Sequence, residues 1–224
     1  MSDDVLRLIF GWTGTGLAMI FYIAPVVPMY KLLNDQVKVK DVTGVLLICS
    51  FMNCILWTDY GLLINDFTVY FANGVGGGIS LIWITIYLIY LGNKNIKIAA
   101  LFIFLLMAAI AGISIAFYFF IPTFLTGKVA MIFNILMYAA PGEKLVRVFK
   151  TKAYNLIPIY STFGGLLCSL CWMLFGIIKA DINLIVPNAL GLFFSVFEII
   201  IYYVFYCIKK NENNFDFDED DKLA

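Results

Sequence analysis

The side chains in this chain best fitted to recognise a small molecule are Asn73 with Trp57, and Asn188 with Trp172. An asparagine amide offers two donors and a carbonyl acceptor, so it pairs with hydroxyl groups without needing a charge. An indole presents a flat apolar face with one N–H at its edge. The combination suits a neutral, hydroxylated solute. The same residue types also serve structure: asparagine bridges helices inside a membrane, and tryptophan fills core or lipid-facing volume. Residue type alone leaves both readings open.

Repetition adds weight to the first. Ala24-Pro25, Trp57-x-x-Tyr60-Gly61, Asp66 and Asn73-x-x-Gly76 recur as Ala140-Pro141, Trp172-x-x-Phe175-Gly176, Asp181 and Asn188-x-x-Gly191. The offset is 116 residues in the first segment of each copy and 115 afterwards. Such self-similarity dictates architecture, and in membrane proteins it often marks a transporter whose site lies between the halves.

Composition places the chain in a bilayer. It is 62% hydrophobic and 13% charged, far from the balance of a soluble domain. Apolar segments predict helices at 9–30, 43–64, 68–91, 98–121, 129–149, 157–178 and 183–207, each about 20 residues or more, enough to cross a core of ~30 Å. The N-terminal apolar run follows no basic region and reads as a retained first span, not a signal peptide. Twelve basic residues fall on one side of this layout, while Arg7, Lys128 and Lys179 fall on the other. By the positive-inside rule the N-terminus is extracellular or lumenal and the C-terminus cytoplasmic. Both copies carry basic loops after their first and third helices, so they run parallel, and segment 98–121 returns the chain between them. The expected fold is therefore all-α: a first triple-helix repeat (9–91), a linker helix (98–121), a second triple-helix repeat (129–207) and an acidic, disordered cytoplasmic tail (208–224).

Helical rise sets the depth of the four candidate residues. Trp57 lies roughly 21 Å above the cytoplasmic edge and Asn73 about 9 Å below the outer one, which puts both at one level. Trp172 and Asn188 repeat this arithmetic. No Arg or Lys shares that layer, as an anionic solute would require. Pro25, Pro141 and Pro158 interrupt or start helices toward the cytoplasmic side, where a lost hydrogen bond makes either a hinge or a static kink. Asp66 and Asp181 sit at the outer mouth, as gate contacts or as ordinary helix caps. Asp59, near the outer end, reads as solvated. Glu198 has no evident basic partner, and a role in proton coupling is one option for it. Histidine is absent, which removes His-based acid–base, metal and relay chemistry. The five cysteines lie in or beside apolar segments and read as small core residues. With no nucleophile–base set or metal cluster, an enzyme is not expected, and no cofactor is implied.

The strings Tyr22-Ile-Ala-Pro25, Asn53-Cys-Ile-Leu-Trp57-Thr-Asp-Tyr60-Gly61, Asn73-Gly-Val-Gly76, Tyr138-Ala-Ala-Pro141, Trp172-Met-Leu-Phe175-Gly176 and Pro187-Asn188-Ala-Leu-Gly191 resemble the SWEET sugar transporters over about residues 9–207. The resemblance implies facilitative movement of mono- or disaccharides by alternating access, without ion coupling. It implies sugar contacts from Asn73, Asn188, Trp57 and Trp172. Phe21 and Met137 match positions that influence substrate size, and their bulk leans toward monosaccharides. Tyr60 and Asp181 match outer-gate positions. Pro25, Pro141 and Pro158 match three members of a cytoplasmic proline tetrad whose fourth position falls at Thr43 or Gly44, and Phe175 stands where the family's second repeat has Tyr. The implied partners are a neutral sugar and the lipid bilayer, with room for a homo-oligomer and no nucleic acid, in the plasma membrane or an internal one. Two other readings fit less well. A PQ-loop amino-acid carrier wants Pro-Gln where this chain has Pro25-Val26 and Pro141-Gly142. A seven-helix retinal receptor wants a lysine in 183–207, which has none.

Overall fold

In a chain this apolar the backbone must satisfy its own hydrogen bonds, and a helix does so within one segment. The computed structural model describes residues 2–39, 42, 44–92, 95–137 and 139–223, the backbone alone at 139–141, 143, 144 and 211–223. The elements run α1 (Asp3–Ile23), α2 (Val26–Leu33), α3 (Gly44–Leu63), α4 (Phe67–Leu91), α5 (Ile96–Phe119), α6 (Thr123–Met137), α7 (Ala139–Thr151), a 3-10 turn (Tyr154–Leu156), α8 (Ile159–Ile178) and α9 (Ile182–Leu223). No strand occurs among the described residues. Among the described residues six stretches are long and apolar enough to cross a membrane: Asp3–Leu33, Gly44–Leu63, Phe67–Leu91, Ile96–Phe119, Ile159–Ile178 and Ile182–Lys210. α6 is a shorter apolar helix.

Two boundaries differ from expectation. The first helix of each copy starts about six residues earlier than 9 and 129, at Asp3 and Thr123. Charged Asp3, Asp4 and Arg7 dilute the apolar signal of α1, yet the two aspartates occupy its first turn, where the helix dipole favours them. Thr123, Thr126 and Lys128 blur α6 in the same way. The first helix of the first copy also breaks: α1 ends at Ile23 and α2 resumes at Val26, with Ala24 and Pro25 between. In the second copy α6 is described to Met137 and α7 from Ala139, and residue 138 lies outside the described residues. A proline ring crowds the carbonyl four residues back, and in the two copies that residue is Phe21 and Met137. Thr43 lies outside the described residues, and the backbone of α9 continues through the tail to Leu223, where a disordered segment from 208 was expected.

The turns after α3 and α8 are built alike. Asn65 and Ala180 adopt φ of 53° and 52°, the left-handed region. The Asp66 N–H donates to the Gly61 carbonyl at 2.8 Å and Asn65 N–H to Leu62 at 3.1 Å; Asp181 donates to Gly176 at 2.9 Å and Ala180 to Ile177 at 3.0 Å. This double closure is the Schellman cap, which satisfies the last carbonyls of a helix. Gly61 is required there by proximity: a Cβ on it would lie 2.6 Å from the Tyr70 backbone nitrogen.

α4 packs on α1 and α3, as α9 does on α6 and α8. Between these sets α1 meets α8 and α3 meets α6, contacts that exchange into each other when the copies are swapped. α5 lies against α3 and α4. One buried core joins the two sets, formed by Leu56, Trp57, Tyr60, Val69, Ala72, Ala130, Trp172, Phe175 and Leu184. Two further cores do not bridge them: one around Met29, Phe51 and Ile84, the other around Leu145, Val148, Ile157 and Ile201. The sets are thus sealed at the Tyr60 end and diverge toward Pro158, leaving a cavity between.

Candidate functional site

That cavity holds about 450 Å³ and is lined by residues from α1, α3, α4, α6, α8 and α9. Asn73, Asn188, Trp57, Trp172, Phe21 and Met137, separated by more than a hundred residues of chain, all face it.

Each asparagine is pinned by its own helix. Asn73 Nδ2 donates to the Val69 carbonyl at 2.9 Å, and Asn188 Nδ2 to the Leu184 carbonyl at 2.8 Å. On the first copy the Tyr22 hydroxyl donates to Asn73 Oδ1 at 3.2 Å, and Trp83 Nε1 anchors Tyr22 through its carbonyl at 2.8 Å. No described residue donates to Asn188 Oδ1; Tyr138, the counterpart of Tyr22, lies outside the described residues. The tryptophans connect the cavity to its sealed end. Trp57 meets Tyr60 edge-on (5.8 Å, 78°), and Trp172 meets Phe175 likewise (5.4 Å, 79°). Trp57 Nε1 and Asn53 Oδ1 are buried, and neither has a partner among the described residues.

The sealed end carries two carboxylates with divided duties. Asp66 Oδ1 accepts the Val69 N–H at 3.1 Å, capping α4, while its Oδ2 pairs with the Lys179 ammonium. Asp181 Oδ1 accepts the Asn183 N–H at 3.0 Å, and its Oδ2 accepts the Tyr60 hydroxyl proton at 2.8 Å. Asn183 Nδ2 donates in turn to the Tyr60 oxygen at 3.0 Å. Capping and cross-copy contact, alternatives in the sequence, are combined in each residue. Where Tyr60 reaches Asp181, its counterpart Phe175 has no hydroxyl to give Asp66. Lys179, one turn further on, lies over the Phe175 ring at 5.8 Å and supplies the missing donor as a charge.

At the opposite end Pro158, Ser161, Thr162 and Glu198 line the cavity. Glu198 is buried, and its Oε2 accepts the Thr162 hydroxyl proton at 2.8 Å. Its partner is thus a hydroxyl, not a base. Asp59 differs from the solvated residue expected: it is half-buried, and one of its carboxylate oxygens is buried with no partner among the described residues. Pro25 is the N-cap of α2, and Pro141 lies within α7. Of the two candidates for the fourth tetrad position, Thr43 is outside the described residues and Gly44 opens α3.

Asn53, Asn134 and Ser169 also line the cavity, and sequence reasoning did not single them out. A signal existed for two. Asn53 precedes Trp57 by four residues and Asn134 precedes Met137 by three, the spacings that share a helix face.

The sequence model of a family described as "Sugar efflux transporter for intercellular exchange" matches residues 8–95 and again 124–211, well over half of the chain. The chain belongs to this family. These are the SWEET (MtN3) transporters. Among its relatives, Bidirectional sugar transporter SWEET7b of Oryza sativa subsp. japonica is 27% identical over 226 residues, covering 96% of this chain and 85% of that protein. Bidirectional sugar transporter SWEET5 of Arabidopsis thaliana is 28% identical, with 98% and 94% covered. A solved structure of a eukaryotic SWEET transporter shares the fold, with a TM-score of 0.82 at 24% identity over 92% of this chain and 99% of that one. This SWEET-family chain is accordingly an integral membrane protein, and each matched stretch contributes two asparagines and one tryptophan to the cavity.

Proposed function

We infer that this SWEET-family protein is a facilitative, bidirectional sugar carrier that works by alternating access, and not an enzyme. The observation that carries this is the cavity itself: paired amide and indole groups from two related halves surround a space sealed at one end. The unpartnered Trp57 N–H and Asn53 carbonyl add a buried donor and acceptor that sugar hydroxyls satisfy. Such orphan groups are rare in folded proteins and call for a partner. Asn73 and Asn188 act as polar contacts, Trp57 and Trp172 flank the ring, and Phe21 and Met137 bound its size in favour of a monosaccharide.

The finer layout is also a proposal. Three helices, one return helix and three helices run 3+1+3, with α6 and its continuation α7 as the fifth crossing. Exchange symmetry of the helix contacts supports this plan. The distribution of basic residues supports an extracellular or lumenal N-terminus, which makes the Tyr60 end the outer one. The conformation then faces inward, with Tyr60, Asp181, Lys179 and Asp66 as the closed outer gate and Pro25, Pro141 and Pro158 beside the open end.

Purified protein in liposomes should exchange labelled glucose across the bilayer with no ion gradient imposed. Uptake that appears only under a sodium or proton gradient would reject a uniporter.

A further inference from the structure

The two halves of the cavity are not equally polar at the Pro158 end. Second-copy residues Ser161, Thr162, Ser195 and Glu198 line it there. Their first-copy counterparts are Leu46, Leu47, Ser80 and Trp83, and none of these lines it. Glu198 is the only charged side chain among the lining residues. It is 8% exposed, and its one described polar partner is the Thr162 hydroxyl. A carboxylate taken out of water without a cation is costly, and it draws in a positive group when one fits.

Glu198 lies ten residues beyond Asn188 on α9, roughly 15 Å along the helix axis. A single sugar ring held by Asn188 does not reach it. Glu198 and its hydroxyl neighbours are therefore a second station on the same path. The surroundings favour an organic cation over an inorganic one. Hard metal ions collect several oxygen ligands, carboxylates among them, and no group of three or more His, Cys, Asp or Glu side chains suited to a metal occurs among the described residues. One carboxylate beside three hydroxyls instead matches a solute carrying one ammonium and several hydroxyl groups.

Resting on the sugar-carrier reading, we propose that Glu198, with Thr162, Ser161 and Ser195, forms a second station that selects cationic amino sugars, hexoses with an ammonium in place of one hydroxyl. The ammonium pairs with the Glu198 carboxylate, and the serine and threonine hydroxyls serve the remaining ring oxygens. Neutral hexoses bind this station less well because they bring no charge.

The test is competition against labelled glucose exchange in proteoliposomes, using glucosamine, N-acetylglucosamine and unlabelled glucose. Wild-type protein should be inhibited by glucosamine at roughly a tenth of the N-acetylglucosamine concentration, the ratio one charge-assisted hydrogen bond supports. Glu198→Gln should collapse that ratio toward one, and Glu198→Asp should keep most of it. Equal inhibition by glucosamine and its N-acetyl form in the wild type overturns the inference without any variant. A ratio that survives Glu198→Gln overturns it as well, as does a ratio that vanishes when sodium and potassium are replaced by choline. If neither glucose nor glucosamine exchanges, the carrier reading itself fails and takes this inference with it; glucose exchange without an amino-sugar preference rejects the station alone.

Discussion

Asn73 and Asn188 occupy equivalent places, one on the last helix of each copy. The Tyr22 hydroxyl engages the carbonyl oxygen of Asn73, and its counterpart in the second copy, Tyr138, lies outside the described residues. On the proposed carrier reading each amide meets a sugar hydroxyl, so Asn188→Ala should damage exchange. We expect at least a tenfold loss of glucose exchange, since an unmet hydrogen bond in a buried site costs roughly 1–3 kcal/mol, while the detergent-solubilised variant keeps its elution profile. Full exchange by folded Asn188→Ala protein would remove this asparagine from the binding set. The symmetry of the two pairs was legible in the sequence because helical rise converts spacing into depth. The Tyr22 contact was not, because it joins two helices whose relative rotation no local pattern encodes. The Thr162 partner of Glu198 was hidden for the same reason.

At the scale of elements, the paired caps after α3 and α8 set where Asp66 and Asp181 stand. Asn and Ala tolerate the left-handed conformation there at a cost of about 1–2 kcal/mol each, which the double hydrogen bond of each cap offsets. The adjacent glycine has no such latitude. A methyl group on Gly61 would face the Tyr70 backbone nitrogen at 2.6 Å, and backbone cannot rotate aside as a side chain does. Gly61→Ala should splay α3 from α4 and destabilise the fold by roughly 1–3 kcal/mol, read as a lower melting temperature in detergent. An unchanged melting temperature would mean that the helix pair gives more readily than its packing implies. Helix existence was readable almost throughout the sequence. Helix starts were not, because Asp3, Asp4 and Arg7 look like loop residues until the first turn of α1 accommodates them.

At the scale of the whole molecule, the sealed end rests on two latches of different chemistry. Tyr60 holds Asp181 through a neutral donor, and Lys179 holds Asp66 through a charge. Because each latch uses its own carboxylate, their contributions should add. We expect Tyr60→Phe and Lys179→Met each to shift the conformational balance toward opening at that end by roughly 1–2 kcal/mol, and the double variant by about the sum. Lys179 is partly exposed, so its share should shrink in high salt while that of Tyr60 stays constant. Reaction of a cavity cysteine with an impermeant thiol reagent added from the Tyr60 side measures the shift, and a double variant no more open than the singles would show a single coupled latch. A last consequence follows from the spacing of the first-helix prolines. Phe21 and Met137 face the cavity and also stand four residues before Pro25 and Pro141, in the turn that a proline ring crowds. On the proposed carrier reading, a substitution that resizes the cavity at either position also alters the turn beside a proline, so a change of diet brings a change of tempo.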